Sequence, residues 1–196
     1  MFFVLPSKNL GGFGDGGMVL TNNADLAEKI RVLRSHGSKP KYYHKIIGGN
    51  FRLDTLQAAI LMVKLKYLDS WTAARQKNAK DYDTLFQDSG LLPTRVQIPA
   101  RKQTRHIFNQ YVIRAERRDA LQAYLKEKEV GAEIYYPVPM HLQECFAELG
   151  CKKGDYPAAE EAARTSLALP VYPELTLEQK QYVVNCIRTF YENYNT

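Results

Sequence analysis

The sequence predicts an α/β fold, and three patterns in its second half carry this prediction. Apolar and polar residues alternate over 106–114, which is typical of a strand with one buried face. A helical pattern follows from about 118 to 128, and residues 130–135 again favour a strand. A strand, a helix and a second strand in succession are the usual beginning of an α/β layer.

The first fifty residues favour a strand, a helix and a loop. Residues 18–21 are apolar enough for a short strand, and Asn22 or Asn23 can cap a helix over 24–35. The following segment, 38–49, is polar but rich in aromatic residues, and we expect it to be flexible. Loops of this length often carry function.

One long helix is predicted over 53–86, because its apolar residues recur at intervals of three and four. The stripe consists of Leu56, Ala59, Ile60, Val63 and Tyr67. Such a helix connects two domains, so we expect a first domain over 1–69 and a second over 70–196 that share it. Binding of a partner along the same stripe is the alternative use of this helix.

The last forty residues carry packing signals rather than chemistry. Pro157 favours the first turn of a helix, residues 167–170 have the pattern of a buried strand, and Thr176 begins a capping sequence before the terminal helix. The terminal helix presents an apolar stripe of Val183, Val184, Ile187 and Phe190.

Composition excludes several classes of protein. The 196 residues are 45% hydrophobic and 24% charged, which fits neither a disordered nor a fibrous chain. Because no apolar run approaches the roughly 20 residues of a membrane span and no signal-peptide pattern begins the chain, we expect a cytoplasmic protein with no membrane partner. Cys145, Cys151 and Cys186 lack the paired spacing of a zinc site, so we expect reduced thiols and no metal.

The formal charge of +6 raises the question of whether the chain binds nucleic acid. Lysines and arginines are spread along the chain, however, with only brief clusters at 39–41 and 114–118. We therefore expect no nucleic-acid partner, with such binding left as an alternative. The charge suits an anionic substrate better.

The segment 6–17 is the strongest candidate for a functional site. It contains one lysine, Lys8, followed by five glycines. Glycines let the backbone approach a ligand closely, and a lysine on such a turn can present its amine to a bound carbonyl compound. A solvated surface lysine before a turn is the alternative interpretation, since most lysines are exposed.

The same glycines also match a dinucleotide-binding spacing, through Gly12, Gly14 and Gly17. That site needs a preceding strand and a helix that begins at the last glycine. Here only residues 2–5 could form the preceding strand, and 18–21 favour a strand rather than a helix. A dinucleotide site is therefore disfavoured.

Two further pairs of residues are candidate binding groups. Asn50 and Arg52 lie two apart on an extended segment, so their side chains share one side and suit an anionic group. Tyr136 and His141 lie in a loop stiffened by prolines, where both can donate hydrogen bonds to a sugar or a phosphate. The alternatives are structural: a turn asparagine, an arginine on a local carbonyl group, and aromatic side chains that pack.

Five ordered motifs run through nearly the whole chain. They lie at 6–17, 34–37, 49–59, 136–143 and 169–176. Their succession resembles the later half of the DegT/DnrJ/StrS family of sugar aminotransferases, which depend on pyridoxal phosphate (PLP). The resemblance implies the C-terminal part of a fold-type I PLP-dependent transferase: the end of the large domain, a long connecting helix and a small α/β domain.

The resemblance also implies a reaction and roles for three residues. Lys8 would bind PLP and then move a proton during transamination of a keto group on a nucleotide-linked sugar, with an amino acid as donor. Asn50, and with it Arg52, would reach the cofactor phosphate or substrate of the partner subunit in a homodimer.

The chain departs from the family pattern at one position. Family members generally carry a serine five residues before the lysine, where it binds the cofactor phosphate, and this chain has Phe3 there. The aromatic residue that stacks on the cofactor and the carboxylate that pairs with its ring nitrogen belong to the earlier half of such an enzyme. We therefore expect a truncated form with little activity alone. A non-catalytic regulatory or interaction protein of the same fold is the alternative.

Overall fold

The computed structural model describes residues 2–193 of the chain. The chain divides into two units, Met1–Ser70 and Trp71–Thr196. Each unit has a sheet of its own, with two strands in the first unit and three in the second.

The first unit contains two short strands and two helices. They are β1 (Phe2–Phe3), β2 (Gly17–Met18), α1 (Ala24–Leu33) and α2 (Thr55–Leu65). The strands pair antiparallel, with Phe3 opposite Gly17, and β2 is shorter than the strand expected over 18–21. Asn23, one of the two expected caps, precedes helix α1, and its side chain accepts a hydrogen bond from the Leu26 N–H (2.9 Å). The helix ends at Leu33, two residues before the expected end.

The second unit combines a three-stranded antiparallel sheet with four helices. Its elements are α3 (Leu68–Asp88, which begins just before the unit boundary), β3 (Val96–Gln97), β4 (Tyr111–Ala115), α4 (Arg118–Glu127), α5 (Pro157–Thr165), β5 (Ser166–Leu169) and α6 (Leu177–Asn193). Two short 3-10 helices, Met140–Leu142 and Glu144–Leu149, lie between α4 and α5. The strand order is β3-β4-β5, with Ile113 opposite Leu167.

The core of the second unit draws on the sheet and on three helices. It includes Tyr82 and Phe86 of α3, Ile113 of β4, Leu121 and Leu125 of α4, and Ile187 and Phe190 of α6. All four residues of β5 are buried, as its apolar sequence predicts. The apolar stripe expected on the terminal helix is buried as well, which confirms that this region serves packing.

The helix expected over 53–86 is interrupted. Helix α2 ends at Leu65 and α3 begins at Leu68. The Ser70 hydroxyl donates to the Tyr67 carbonyl oxygen (2.7 Å) and so competes with the helical backbone for this acceptor. Asp69 then places a carboxylate in the first turn of α3, where it complements the dipole of a new helix.

Two expected strands are shorter than their patterns. Strand β4 takes up only the second half of the pattern at 106–114, because Phe108 has a positive φ of 44° and belongs to a turn. The strand expected over 130–135 is reduced to a single bridge between Glu133 and Ala168. Alternation of residue type alone did not reveal either limit.

The predicted helix starts near the C-terminus are confirmed. Pro157 occupies the first turn of α5. Before α6, the Thr176 N–H donates to Gln179 Oε1 (2.9 Å) and the Gln179 N–H donates to Thr176 Oγ1 (3.2 Å). These two reciprocal bonds form a capping box.

Lys180 places a charge inside the second unit. Its side chain is 1% exposed, and its Nζ lies 2.6 Å from Asn78 Oδ1 and 2.6 Å from Asp81 Oδ2, so it connects α6 to α3. The Asn78 amide also donates to the Tyr172 carbonyl oxygen (2.7 Å). Burial alone would raise the pKa of Asp81, but the hydrogen bonds and charges of Lys180 and Lys77 outweigh it and lower that pKa.

We predict that Lys180→Met lowers the free energy of unfolding by about 3 kcal/mol, because Asp81 and Asn78 lose the ammonium group that compensates their burial. Lys77→Met is the matched control. Lys77 binds the same carboxylate but is 72% exposed, so its loss should change stability by less than about 1 kcal/mol. Urea unfolding measures both variants, and equal losses would contradict a special role for the buried lysine.

The same pair predicts a pH dependence. A carboxylate with a lowered folded pKa stabilises the protein above its unfolded pKa, and this contribution is lost as the pH falls through the folded pKa. The difference in free energy of unfolding between the wild type and Lys180→Met should therefore begin to shrink as the pH falls below 3.8, the ordinary pKa of Asp81, and should continue to shrink through its lowered folded pKa. Urea unfolding over a series of acidic pH values measures it.

Candidate active site

Lys8 closes a tight turn at the head of the glycine-rich loop. Its N–H donates to the Leu5 carbonyl oxygen (2.9 Å), which places Pro6 at the second position of the turn, where the fixed φ of proline is favoured. The Lys8 side chain is exposed, and its amine has no hydrogen-bond or ion-pair partner within residues 2–193. The amine is therefore accessible to a ligand.

The loop after Lys8 is folded back on the strand that precedes it. The Gly12 N–H donates to the Val4 carbonyl oxygen (2.7 Å). A Cβ atom at Gly11 would lie 2.4 Å from the Pro6 carbonyl oxygen. No larger residue fits at this position unless the Lys8 turn moves.

Two side chains of α2 fix the same loop. Gln57 Oε1 accepts a hydrogen bond from the Phe13 N–H (2.9 Å), and Lys64 Nζ donates to the Gly11 carbonyl oxygen. Gln57 and Lys64 are seven residues apart and therefore share one side of the helix. Sequence analysis gave neither residue a role, although Gln57 lies in the motif at 49–59 and two polar side chains at this spacing in a largely apolar helix were an available signal.

Asn50 and Arg52 form one polar group at the surface. Arg52 Nε donates to Asn50 Oδ1 (2.9 Å), so the two side chains lie on one side of the segment, as their two-residue spacing predicts. Both residues are exposed. Their segment is held to the end of α1, because the Gly49 N–H donates to the Leu33 carbonyl oxygen (3.0 Å). Asn50 therefore orients the guanidinium group of Arg52.

The segment 38–49, expected to be flexible, is internally hydrogen-bonded. The Lys39 N–H donates to the Tyr43 carbonyl oxygen (2.9 Å), and the Lys45 N–H donates to that of Gly37 (3.0 Å). Gly37 has a φ of 71°, and a Cβ there would overlap the Ile46 carbonyl oxygen. The composition of the segment suggested a flexible loop. It did not predict these hydrogen bonds, because they join backbone groups and do not depend on the type of side chain.

A cavity of about 850 Å³ lies in the first unit beside β2 and α1. Its charged lining residues are Arg31, Arg34, Arg52 and Asp15. Three cations against one carboxylate make the lining positive, which suits an anion. The structure brings Arg52 to this cavity, whereas Lys8 and Asn50 do not line it.

The two substrate candidates of the second unit differ in exposure. The His141 side chain is 9% exposed, and its Nε2 lies 3.0 Å from Glu160 Oε1. The His141 ring also packs against Tyr156, with 4.8 Å between ring centroids. Tyr136 is 69% exposed and contacts Tyr135 edge-on. Tyr136 thus offers an accessible hydroxyl group, whereas His141 is held in place.

Two further findings apply to residues 2–193, the part of the chain that the structure describes. None of the helices described there is long and apolar enough to cross a membrane. Nor do the His, Cys, Asp and Glu side chains of this part form a group of three or more that could hold a metal ion.

Comparison with known protein families identifies the chain's relatives. The sequence pattern of the DegT/DnrJ/EryC1/StrS aminotransferase family matches residues 2–188. The chain belongs to this family. The resemblance carried by the five motifs is thereby confirmed over most of the sequence.

Two curated relatives show the range of names in the family. The "pleiotropic regulatory protein" of Geobacillus stearothermophilus is 52% identical over 191 residues, which is 96% of this chain and 50% of the relative. The dTDP-3-amino-3,4,6-trideoxy-alpha-D-glucose transaminase of Streptomyces venezuelae is 39% identical over 191 residues, which is 97% of this chain and 50% of the relative. The chain thus spans about half the length of the curated relatives it matches.

A solved structure confirms the expected fold. The crystal structure of DesV from S. venezuelae, in complex with a ketimine intermediate, resembles this chain with a TM-score of 0.89 at 37% identity. The match covers 97% of this chain and 51% of that one. The α/β fold is therefore that of the C-terminal part of an aminotransferase of this family.

We predict that Gly11→Ala destabilises the first unit by about 2 kcal/mol, because the new methyl group overlaps the Pro6 carbonyl oxygen. Gly131→Ala is the matched control, since a Cβ there has nothing within 4 Å and should change stability by less than about 1 kcal/mol. Thermal unfolding measures both effects, and faster amide exchange at Gly12 should accompany the first. An unchanged melting temperature for Gly11→Ala would show that the loop shifts freely.

Proposed function

We propose that the chain is part of a PLP-dependent aminotransferase that acts on a nucleotide-linked keto sugar, and that Lys8 is its catalytic residue. One observation carries this proposal: the exposed amine of Lys8 has no partner in the described part of the chain, although its loop is fixed by α2. The name of the S. venezuelae relative supports the substrate class. An amino acid is the amino donor in this proposal, and the location is cytoplasmic.

The residues present fit PLP on chemical grounds. An aldehyde needs an accessible amine, which Lys8 supplies. A phosphate group needs cationic and amide donors, and Arg52 and Asn50 supply both on one side of their segment. When bound, PLP supplies an electron sink for the reaction.

Lys8 has two roles in this proposal. Its amine would first hold the cofactor. The amino group of the donor amino acid would then take its place, and the released amine of Lys8 would take a proton from one carbon atom and return it to another as general base and acid. Both roles need an amine that moves on a fixed backbone. The hydrogen-bonded turn of Lys8 provides the fixed part, and the unpartnered side chain provides the mobile one.

A homodimer is part of the same proposal, with Asn50 and Arg52 acting at the partner subunit's cofactor. Helix α2 presents an apolar surface, with Leu56, Met62 and Val63 at 74%, 71% and 60% exposure. A second copy of the chain that covers this surface would remove it from water. The neighbouring Asn50 segment would then lie close to the second copy.

The cofactor assignment predicts that borohydride reduction of the chain with PLP attaches the cofactor at Lys8, as located by mass spectrometry of tryptic peptides. Lys8→Ala should abolish the attachment, because Lys8 is the lysine at the head of the glycine-rich loop, where the backbone leaves room for the cofactor. Lys66→Ala, which removes another exposed lysine of the first unit, should leave it unchanged. Attachment spread evenly over surface lysines would contradict the assignment.

We expect little turnover of a nucleotide-linked keto sugar by this chain alone, because the relatives it matches are about twice as long. The trapping experiment does not depend on turnover. It therefore separates binding of the cofactor from completion of the reaction.

The dimer assignment predicts that Val63→Glu weakens self-association at least tenfold, since two carboxylates would be buried against an apolar surface. Ala123→Glu, an equal change in charge at an exposed position of α4, should have no effect. Sedimentation velocity over a range of concentrations measures both. A chain that is monomeric before substitution would overturn the homodimer.

A regulatory or interaction protein of the same fold is the second candidate function. The name of the 52% identical relative, "pleiotropic regulatory protein", favours it, and so does Phe3 at the position where a serine is expected. The two candidates differ in their need for Lys8. A folded chain from which no cofactor adduct at Lys8 can be trapped would favour the regulatory function.

A further inference from the structure

The cluster around Glu160 joins three separate parts of the second unit. Glu160 lies in the first turn of α5, and its Oε1 accepts a hydrogen bond from the Gly154 N–H (2.7 Å) and lies 3.0 Å from His141 Nε2. His141 belongs to the 3-10 helix Met140–Leu142, and Gly154 belongs to the loop before α5. A single carboxylate oxygen thus holds both ends of the segment 141–154.

The cluster is more than a surface ion pair. The side chains of His141 and Glu160 are 9% and 17% exposed, whereas the adjacent Glu161 is 48% exposed and pairs with Arg164 one turn away. The Gly154 backbone hydrogen bond and the His141 contact also outweigh burial and lower the pKa of Glu160. Glu160 is therefore ionised at neutral pH and acts as an acceptor only.

We propose that Glu160 is a positioning residue that fixes the orientation of His141, with Nε2–H directed at the carboxylate and Nδ1 left as the nitrogen that can accept a hydrogen bond. An ionised carboxylate needs a donor, so the neutral imidazole carries its proton on Nε2. His141 then accepts a hydrogen bond from a sugar hydroxyl group through Nδ1. This reverses the donor role assigned to His141 from the sequence.

The inference extends to Tyr136, which stands five residues before His141. The segment between them contains two prolines, Pro137 and Pro139, which restrict the backbone. A fixed His141 therefore limits where the exposed Tyr136 hydroxyl can lie. The substrate part of this inference rests on the proposed function, whereas the orientation of His141 does not.

The test begins with nuclear magnetic resonance of the chain labelled with nitrogen-15, at a pH of about 9, well above the ordinary histidine pKa of about 6.5. The imidazole nitrogen shifts of His141 should report the tautomer with the proton on Nε2. Glu160→Ala should mix the tautomers and speed amide exchange at Gly154 about tenfold or more. Glu160→Gln keeps an acceptor oxygen and should restore both signals in large part, and the control Glu161→Ala should change neither.

A proton on Nδ1 of His141 in the wild type, or unchanged Gly154 exchange in Glu160→Ala, would overturn the positioning role. If Glu160→Ala does not fold, the wild-type tautomer and the Glu160→Gln variant still decide whether Glu160 positions His141.

Binding of UDP-N-acetylglucosamine, measured by calorimetry, then tests the substrate role of His141. Glu160→Ala should weaken this binding about tenfold, and Glu161→Ala should leave it unchanged. A wild type that shows the expected tautomer but no sugar binding would count against the proposed function and leave the orientation of His141 established.

Discussion

The close approach of a glycine-rich loop to helix α2 is the constraint on which the first unit depends. A Cβ atom at Gly12 would lie 3.0 Å from Gln57 Oε1, and one at Gly14 would lie 2.9 Å from Gln57 Nε2. Glycine loses more conformational freedom on folding than any other residue, so ordering such a loop needs compensating bonds. Gln57 and Lys64 supply them from a rigid helix, and the position of Lys8 follows from this arrangement.

The elements that sequence analysis predicted well are those whose signals are local. Asn23 lies next to the helix it caps, and Thr176 and Gln179 cap a helix across three residues. In each case the residues that carry the signal also make the bond. The same holds for Arg52 and Asn50, whose contact follows from their spacing of two residues.

The features that sequence analysis missed depend on partners far along the chain. Lys180 binds Asp81 across 99 residues, and Gln57 binds the glycine loop across 44. In the sequence, Lys180 and Gln57 each occupy an ordinary polar position of a helical pattern, and nothing nearby indicates their partners. The pairing of His141 with Glu160 is similar, because the loop that brings them together has no periodic pattern. The sequence therefore predicted some of the residues of the candidate site, but it did not predict the hydrogen bonds that hold them in place.

The contrast between Lys8 and His141 bears on the choice between an enzyme and a regulatory protein. His141 is embedded in contacts, so its orientation can be explained by the fold. The exposed amine of Lys8 has no hydrogen-bond or ion-pair partner in the described part of the chain, so the fold does not depend on its charge. The loop after Lys8 contains five glycines, which add no side chain to a hydrophobic core, yet hydrogen bonds fix its backbone. A fixed backbone that carries an accessible amine suits covalent binding of an aldehyde, and this supports the proposed enzyme over the regulatory protein.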